Sequence, residues 1–163
     1  MQLGNDISAV VTGGASGLGA GTARALAARG VKVGILDLNE PRGRSFAAEI
    51  GGAFAKGDVT NEASVMEALG ALRKANGQER ILVNCAGIAL AKRSVRRVRE
   101  TGGIEPHDVA SFRKVIEINL IGTFIMMTKC AAGMMSLEPV GPDKERGVII
   151  STASVAAEDG QIG

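Results

Sequence analysis

A chain of 163 residues with 19 Lys and Arg against 17 Asp and Glu carries a net charge of only +2, which gives no electrostatic case for a nucleic-acid partner. Its 16.7 kDa suffice for one domain with a real core. Its 23 glycines follow no collagen-like period and form no low-complexity run, which excludes a collagen-like or low-complexity chain.

In chain order, SAVVTGG (8–14) predicts a strand, followed by a helical pattern over 18–29 that stops at Gly30. VKVGILD (31–37) predicts a second strand, and 41–50 a second helix ending in Gly51-Gly52. AFAKGDV (53–59) is a third strand candidate. The helix over 61–75 then places Glu62 in its first turn and Lys74 in its last, complementing the helix dipole. RILVNCAG (80–87) is a fourth strand candidate, 91–106 an irregular insertion, 108–135 a long helix, and GVIISTAS (147–154) a fifth strand. The strands are almost wholly apolar and do not alternate, as expected where helices cover both faces of a parallel sheet. This order predicts an α/β fold with a doubly wound parallel sheet of the Rossmann type, in one domain over 1–163, incomplete after the fifth strand.

Two cysteines, Cys85 and Cys130, form no disulfide framework and suit a reducing cytosol. MQLGNDISAVVTGG shows no basic region followed by a long apolar one. No uninterrupted apolar run reaches the roughly eighteen residues of a bilayer span; the nearest, 116–127, is broken by Glu117, Asn119 and Thr123. A cytoplasmic protein with no membrane partner is therefore expected.

TGGASGLG (12–19) directly follows the first strand and opens the first helix. Gly13 permits a tight turn, Gly17 lets backbone approach a pyrophosphate, and Gly19 lets the helix pack closely on the sheet. Phosphates would meet free N–H groups at the helix N-terminus. Asp37 ends the second strand eighteen residues after Gly19. A carboxylate there accepts hydrogen bonds from the adenosine ribose hydroxyls and repels a 2′-phosphate. No Lys or Arg lies within the loop or directly after Asp37, where Leu38 and Asn39 follow, so NAD is favoured over NADP. The competing reading of Asp37 is a loop or helix-capping residue.

With D58-V59-T60 after the third strand, N84-C85-A86-G87 after the fourth, Asn119 in EINLIGTF and Ser154 in STASVAA, the whole chain resembles the classical short-chain dehydrogenase/reductase family. NCAGIA, the insertion and GVIISTASVAAEDGQIG are most similar to its type 2 3-hydroxyacyl-CoA dehydrogenase branch. The resemblance implies hydride transfer between a secondary alcohol, 3-hydroxyacyl-CoA or a steroid-like alcohol, and nicotinamide. By the same resemblance Asp58 and the Val59 backbone contact adenine, and Ser16 and Leu18 contact phosphate or ribose. Cys85, Ala86 and Gly87 line the ribose and nicotinamide side through backbone atoms. Ser154 bonds the substrate oxygen, and Asn119 holds a relay water through its side-chain amide. A homotetramer is also implied. Each of these residues has a plainer reading as a strand-end cap or a buried amide seeking partners.

The pattern departs from the family at the proton acceptor, a Tyr-xxx-Lys that should begin a few residues beyond Gly163; the chain has no tyrosine. His107, the one histidine, precedes the long helix and is expected in an exposed loop. No metal-ligand cluster is apparent. A sheet ending at the fifth strand would leave an edge and the apolar faces over 116–135 uncovered, so a truncated chain is expected. K92-R93-S94-V95-R96-R97-V98-R99 sets five cations in eight residues. They are read as a solvated loop, with contacts to the phosphates of a CoA thioester as the alternative. A 3-oxoacyl-carrier-protein reductase and a non-catalytic NAD-binding fragment stay open as other functions.

Overall fold

The structure, a computed structural model, describes residues 1–160; Gln161, Ile162 and Gly163, the end of the C-terminal motif, lie outside the described residues. The first four strands are β1 Ser8–Thr12, β2 Lys32–Asp37, β3 Ala53–Lys56 and β4 Ile81–Asn84. They alternate with α1 Gly17–Ala27, α2 Glu40–Glu49 and α3 Glu62–Asn76. The insertion forms a hairpin, β5 Val95–Arg97 with β6 Ile104–Pro106. Next come α4 Val109–Ile116, a π-helical turn Glu117–Gly122 and α5 Thr123–Met135, then β7 Val148–Ser151 and the short α6 Val155–Asp159.

The main sheet has the order β3-β2-β1-β4-β7, and every pairing in it is parallel. Successive side chains of a strand face opposite sides of a sheet, so neighbouring residues serve two different cores. On one face Val10, Leu36 and Leu82 pack with Val65, Leu69 and Leu72 of α3 and with Met126 and Met134 of α5. On the other, Val11, Ile35 and Val83 pack with Ala23 of α1 and Phe46 and Ala47 of α2. The predicted doubly wound α/β sheet is what forms.

Three differences from the expectations have physical reasons. The strands are shorter at their C-terminal ends: Gly13-Gly14, Gly57–Val59 and Cys85–Gly87 leave the ladder and become the loops that surround a cavity. The insertion is not irregular, because Val98 donates to Gly103 O and Gly102 N to Val98 O, closing a hairpin turn that lone motifs do not reveal. The long helix is continuous but carries a π-turn at Glu117–Gly122, of the kind that recurs at functional sites.

Taken as one helix, Val109–Met135 runs 27 residues and contains an 18-residue stretch with a mean hydropathy of 1.4, so by length and composition alone it would suffice to cross a bilayer. The expectation drawn from uninterrupted runs concerns a different measure, since Glu117, Asn119 and Thr123 still interrupt the run over 116–127. Ile125, Met126, Cys130 and Met134 of this helix are packed into the sheet's core. Its opposite face, with Phe112, Leu120, Ile121 and Phe124, is exposed, as are Val148 and Ile150 of the edge strand β7. The expected uncovered edge and helix face are both present.

At the opposite end of the sheet from the cavity, a buried ion pair joins α3 to the segment entering β4. Arg73 Nε and Nη2 donate to Glu79 at 2.9 and 2.6 Å, and Nη2 reaches Lys129 O of α5 at 3.3 Å. Glu79 is 0% exposed and Arg73 23%. Replacing Glu79 by Ala strands a half-buried guanidinium and should destabilise the fold by about 3 kcal/mol. A urea unfolding midpoint equal to the wild type's would contradict this.

Candidate functional site

At the C-terminal ends of β1 to β4, where a parallel sheet of this kind opens its crevice, lies a cavity of about 810 Å³. Its floor is built by the glycine loop. Ser16, with extended backbone, precedes α1 but makes no side-chain cap bond, so the first N–H groups of the helix are not taken by its hydroxyl. Gly13 has φ +61°, and a Cβ there would lie 2.9 Å from Ala86 backbone. A Cβ on Gly19 would lie 2.3 Å from Gly13 O. Both glycines are required by close backbone approach.

Thr12 ties this loop to the next wall. It is buried at the end of β1, and its Oγ1 accepts from Cys85 N and Ala86 N, each at 3.1 Å. Cys85 N also reaches Thr12 O at 3.2 Å. The Thr12 hydroxyl thus ties the end of β1 to the segment leaving the neighbouring β4. Burial raises the Cys85 thiol above its usual pKa, with a hydrogen bond to Thr22 working the other way.

Asp37 ends β2 at the cavity wall. Its Oδ2 accepts from Ala15 N at 3.0 Å and its Oδ1 from Asn39 N at 2.9 Å, which fixes the carboxylate beside the glycine loop. The capping reading of Asp37 fails, because Asn39 is the N-cap of α2 and its Oδ1 accepts from Arg42 N. Asp58 accepts from Thr60 N and Thr60 Oγ1 at 2.9 and 2.8 Å, both on Oδ1.

All eleven residues expected to hold a cofactor line this one cavity: Gly13, Ser16, Gly17, Leu18, Gly19, Asp37, Asp58, Val59, Cys85, Ala86 and Gly87. The two expected catalytic residues do not line it. Asn119, inside the π-turn, donates from Nδ2 to Ile88 O at 2.8 Å and accepts from Ile88 N at 2.9 Å. One amide hydrogen and one lone pair remain for a water. Ser154 lies three residues beyond Ser151, which pairs with Asn84; it caps α6 by accepting from Ala156 N at 3.2 Å and is exposed.

Other lining residues have no place in the sequence expectations. Thr60 and Ile88 line the cavity, as does a stripe of the long helix comprising Ala110, Arg113, Lys114, Glu117 and Ile118. The i, i+3, i+4 spacing of that stripe is readable, but which face of a long helix meets a cavity is not.

The basic insertion folds around its own charges. Lys92 bonds Asp108 at 2.7 Å and Ser111 at 3.1 Å, Arg96 bonds Glu105 at 2.7 Å, and Arg97 bonds Gly102 O at 2.9 Å. Lys92 and Ser111 hold the Asp108 carboxyl well below the usual carboxylate range. Arg93 and Arg99 have no partner among the described residues. His107 is half-buried rather than fully exposed, with its N–H on Ser94 O and its ring Nδ1 beside Asp108 O, because the hairpin folds back over it.

The sequence profile of the short chain dehydrogenase family matches residues 8–163. The chain belongs to the short-chain dehydrogenase family. It is 43% identical over 157 residues to the 3-hydroxyacyl-CoA dehydrogenase type-2 of Bos taurus, covering 95% of this chain and 58% of that protein. The Homo sapiens protein of the same name is 41% identical over the same shares. The crystal structure of 3-hydroxyacyl-CoA dehydrogenase type-2 from Mycobacterium avium superposes with a TM-score of 0.88 at 37% identity, covering 100% of this chain and 63% of that one. The chain thus spans about three-fifths of the length of the relatives it matches.

Thr12→Val keeps the shape of the β1 end but leaves Ala86 N without its acceptor. A loss of about 2 kcal/mol is expected from one orphaned buried donor. Hydrogen exchange should localise it, with protection falling at Cys85 and Ala86 more than at Val10; uniform protection would contradict the assignment of Thr12 as the tie.

Proposed function

We propose that this protein binds NAD and serves the oxidation of a secondary alcohol, with a 3-hydroxyacyl-CoA as substrate, in a cytoplasmic setting. The single observation that carries this is the meeting of the Asp37 carboxylate with the glycine loop in one cavity. The pocket fits a dinucleotide on its own features: glycines 13 and 19 where a Cβ would strike backbone, uncapped N–H groups at α1, and a fixed acceptor at the ribose position. Residues 16–19 would hold the pyrophosphate, Asp37 the adenosine ribose, Asp58 and Val59 the adenine, and Cys85 to Gly87 the far ribose and nicotinamide.

Bound NAD supplies a hydride acceptor. The chain's own contribution is orientation and exclusion of water. Ser154, the exposed cap of α6 three residues beyond β7, would donate its hydroxyl hydrogen to the substrate oxygen while it still accepts from Ala156 N. Asn119 keeps the Ile88 segment against the cavity and retains one donor and one acceptor for a water. The family's proton acceptor is a Tyr-xxx-Lys, and the 163 residues contain no Tyr. The similarity to proteins named 3-hydroxyacyl-CoA dehydrogenase type-2 supports the thioester substrate, and Arg93 and Arg99 are the cations free to meet its phosphates. A tetramer is proposed on family grounds.

NADH fluorescence titration tests cofactor binding directly. Asp37→Ser should weaken NADH and strengthen NADPH, each by about tenfold, since a charge-assisted bond is lost and a repulsion removed. Unchanged discrimination between the two would reject the Asp37 role. Turnover of 3-hydroxybutyryl-CoA by the same preparation separates a dehydrogenase from a protein that binds NAD without turnover. Arg93→Glu with Arg99→Glu should then raise KM for the thioester about tenfold, as expected when two phosphate contacts reverse sign; an unchanged KM rejects them as the phosphate contacts.

A further inference from the structure

The end of β4 carries a polar side chain that the core does not need. Asn84 is 3% exposed, and two residues before it Leu82 packs into the core cluster under α3 and α5. Alternation along the strand puts the Asn84 side chain on that same face. Its Nδ2 donates to Ser151 Oγ at 3.2 Å, and its Oδ1 is buried with no partner among the described residues. A buried amide with one end unmet costs stability, and an apolar side chain of similar size would fill the place more cheaply. Packing therefore does not account for an asparagine here.

Its bonds show what it holds. Asn84 pairs with Ser151 in the ladder between β4 and β7, and its main-chain O accepts from both the N–H and the Oγ1 of Thr152, each at 3.1 Å. Beyond Thr152 the chain makes no further hydrogen bond to the body of the protein among the described residues: Ala156 N and Ala157 N turn back to Ser154, and Gly160 N to Ala156 O. Thr152 is thus the last hydrogen-bonded anchor before Ser154, two residues on. The anchor has support from one side only, since β7 is an edge strand with β4 as its single neighbour among the described residues. In the other direction Asn84 runs straight into Cys85, Ala86 and Gly87, the cavity wall that Thr12 fixes. One residue links that wall to the segment carrying Ser154.

We propose that Asn84 is a positioning residue for Ser154: by holding Ser151, its side-chain amide fixes where the Ser154 hydroxyl stands relative to the nicotinamide side of the cavity; this rests on the NAD and 3-hydroxyacyl-CoA reading above. Asn84 itself touches neither cofactor nor substrate and acts through the end of β7. The bond matters because an oriented contact to a reacting oxygen is lost by a displacement of about 1 Å, which an edge strand with a frayed end easily undergoes.

The test is isothermal titration of 3-hydroxybutyryl-CoA into the 163-residue chain saturated with NADH, a pair that cannot react because alcohol and cofactor are both already reduced. Asn84→Ala and Ser151→Ala remove the same bond from its buried and its exposed end. Ser151 is exposed, so its variant should fold even where Asn84→Ala does not, and thermal unfolding verifies each. Both should bind the thioester about fivefold more weakly, the scale of one hydrogen bond, and NADH as the wild type does. Ser154→Ala should show a similar loss, and Ser151→Ala added to it should cost nothing more, because the two act through one hydroxyl. Additive losses would overturn the positioning role, as would an equal weakening of NADH or wild-type thioester affinity in Ser151→Ala. Wild-type affinity in Ser154→Ala would remove the role of Ser154 and the proposal with it. If the wild-type chain binds NADH but not the thioester, the substrate reading fails; if it binds neither, the NAD reading fails; the proposal falls in both cases.

Discussion

Backbone has to meet backbone at the end of β1 for anything else in this molecule to be in place. Gly13 sits where a side chain would strike Ala86, and Gly19 where one would strike Gly13 O. Two chain segments and one helix terminus therefore converge within van der Waals distance, and Thr12 Oγ1 joins two of them with a pair of hydrogen bonds. The parallel sheet positions the strand ends, but this contact decides that they surround a cavity and not a packed core. Its floor is made of peptide groups, which suits an anionic ligand that needs N–H donors and no side-chain bulk.

Much of this arrangement is legible in the sequence, and for a definite reason. Glycines with strict spacing, an acid at a strand end and apolar runs of four to six residues report local backbone requirements, which neighbouring residues largely determine. Asp37 and Asp58 are found for the same reason: a strand's C-terminal end fixes where its next residue points. Side chains whose role depends on tertiary packing are less visible. Thr12 looks like one more hydroxyl in a glycine loop until its two N–H partners, far along the chain, are known. Arg113 and Lys114 read as ordinary helix-surface cations, because nothing local states which face of a 27-residue helix meets the cavity.

The helix also shows how one irregularity serves two ends. Its lower half, with Ile125, Met126, Cys130 and Met134, needs α-helical spacing to lie on the sheet. Its upper half must present Asn119 to Ile88 and a charged stripe to the cavity. A regular helix keeps a single phase between these halves. The π-turn at Glu117–Gly122 adds a local change of phase, so both sets of side chains reach their partners without a break in the hydrogen-bonded backbone. The Arg73–Glu79 pair, which also reaches Lys129 O, secures the lower half at the far end of the sheet.

The hairpin of β5 and β6 stands apart from all of this. None of its residues is buried, its strands pair only with each other, and its charges are satisfied largely within itself and by the start of α4. It is anchored by a short stem and contributes nothing to either core, so residues can be added or removed at its tip without disturbing the sheet. Evolution can therefore vary the rim of the molecule at low cost while the cofactor cradle stays constant. For protein engineering, the same tip is a natural place to graft a recognition loop onto an unchanged dinucleotide-binding frame.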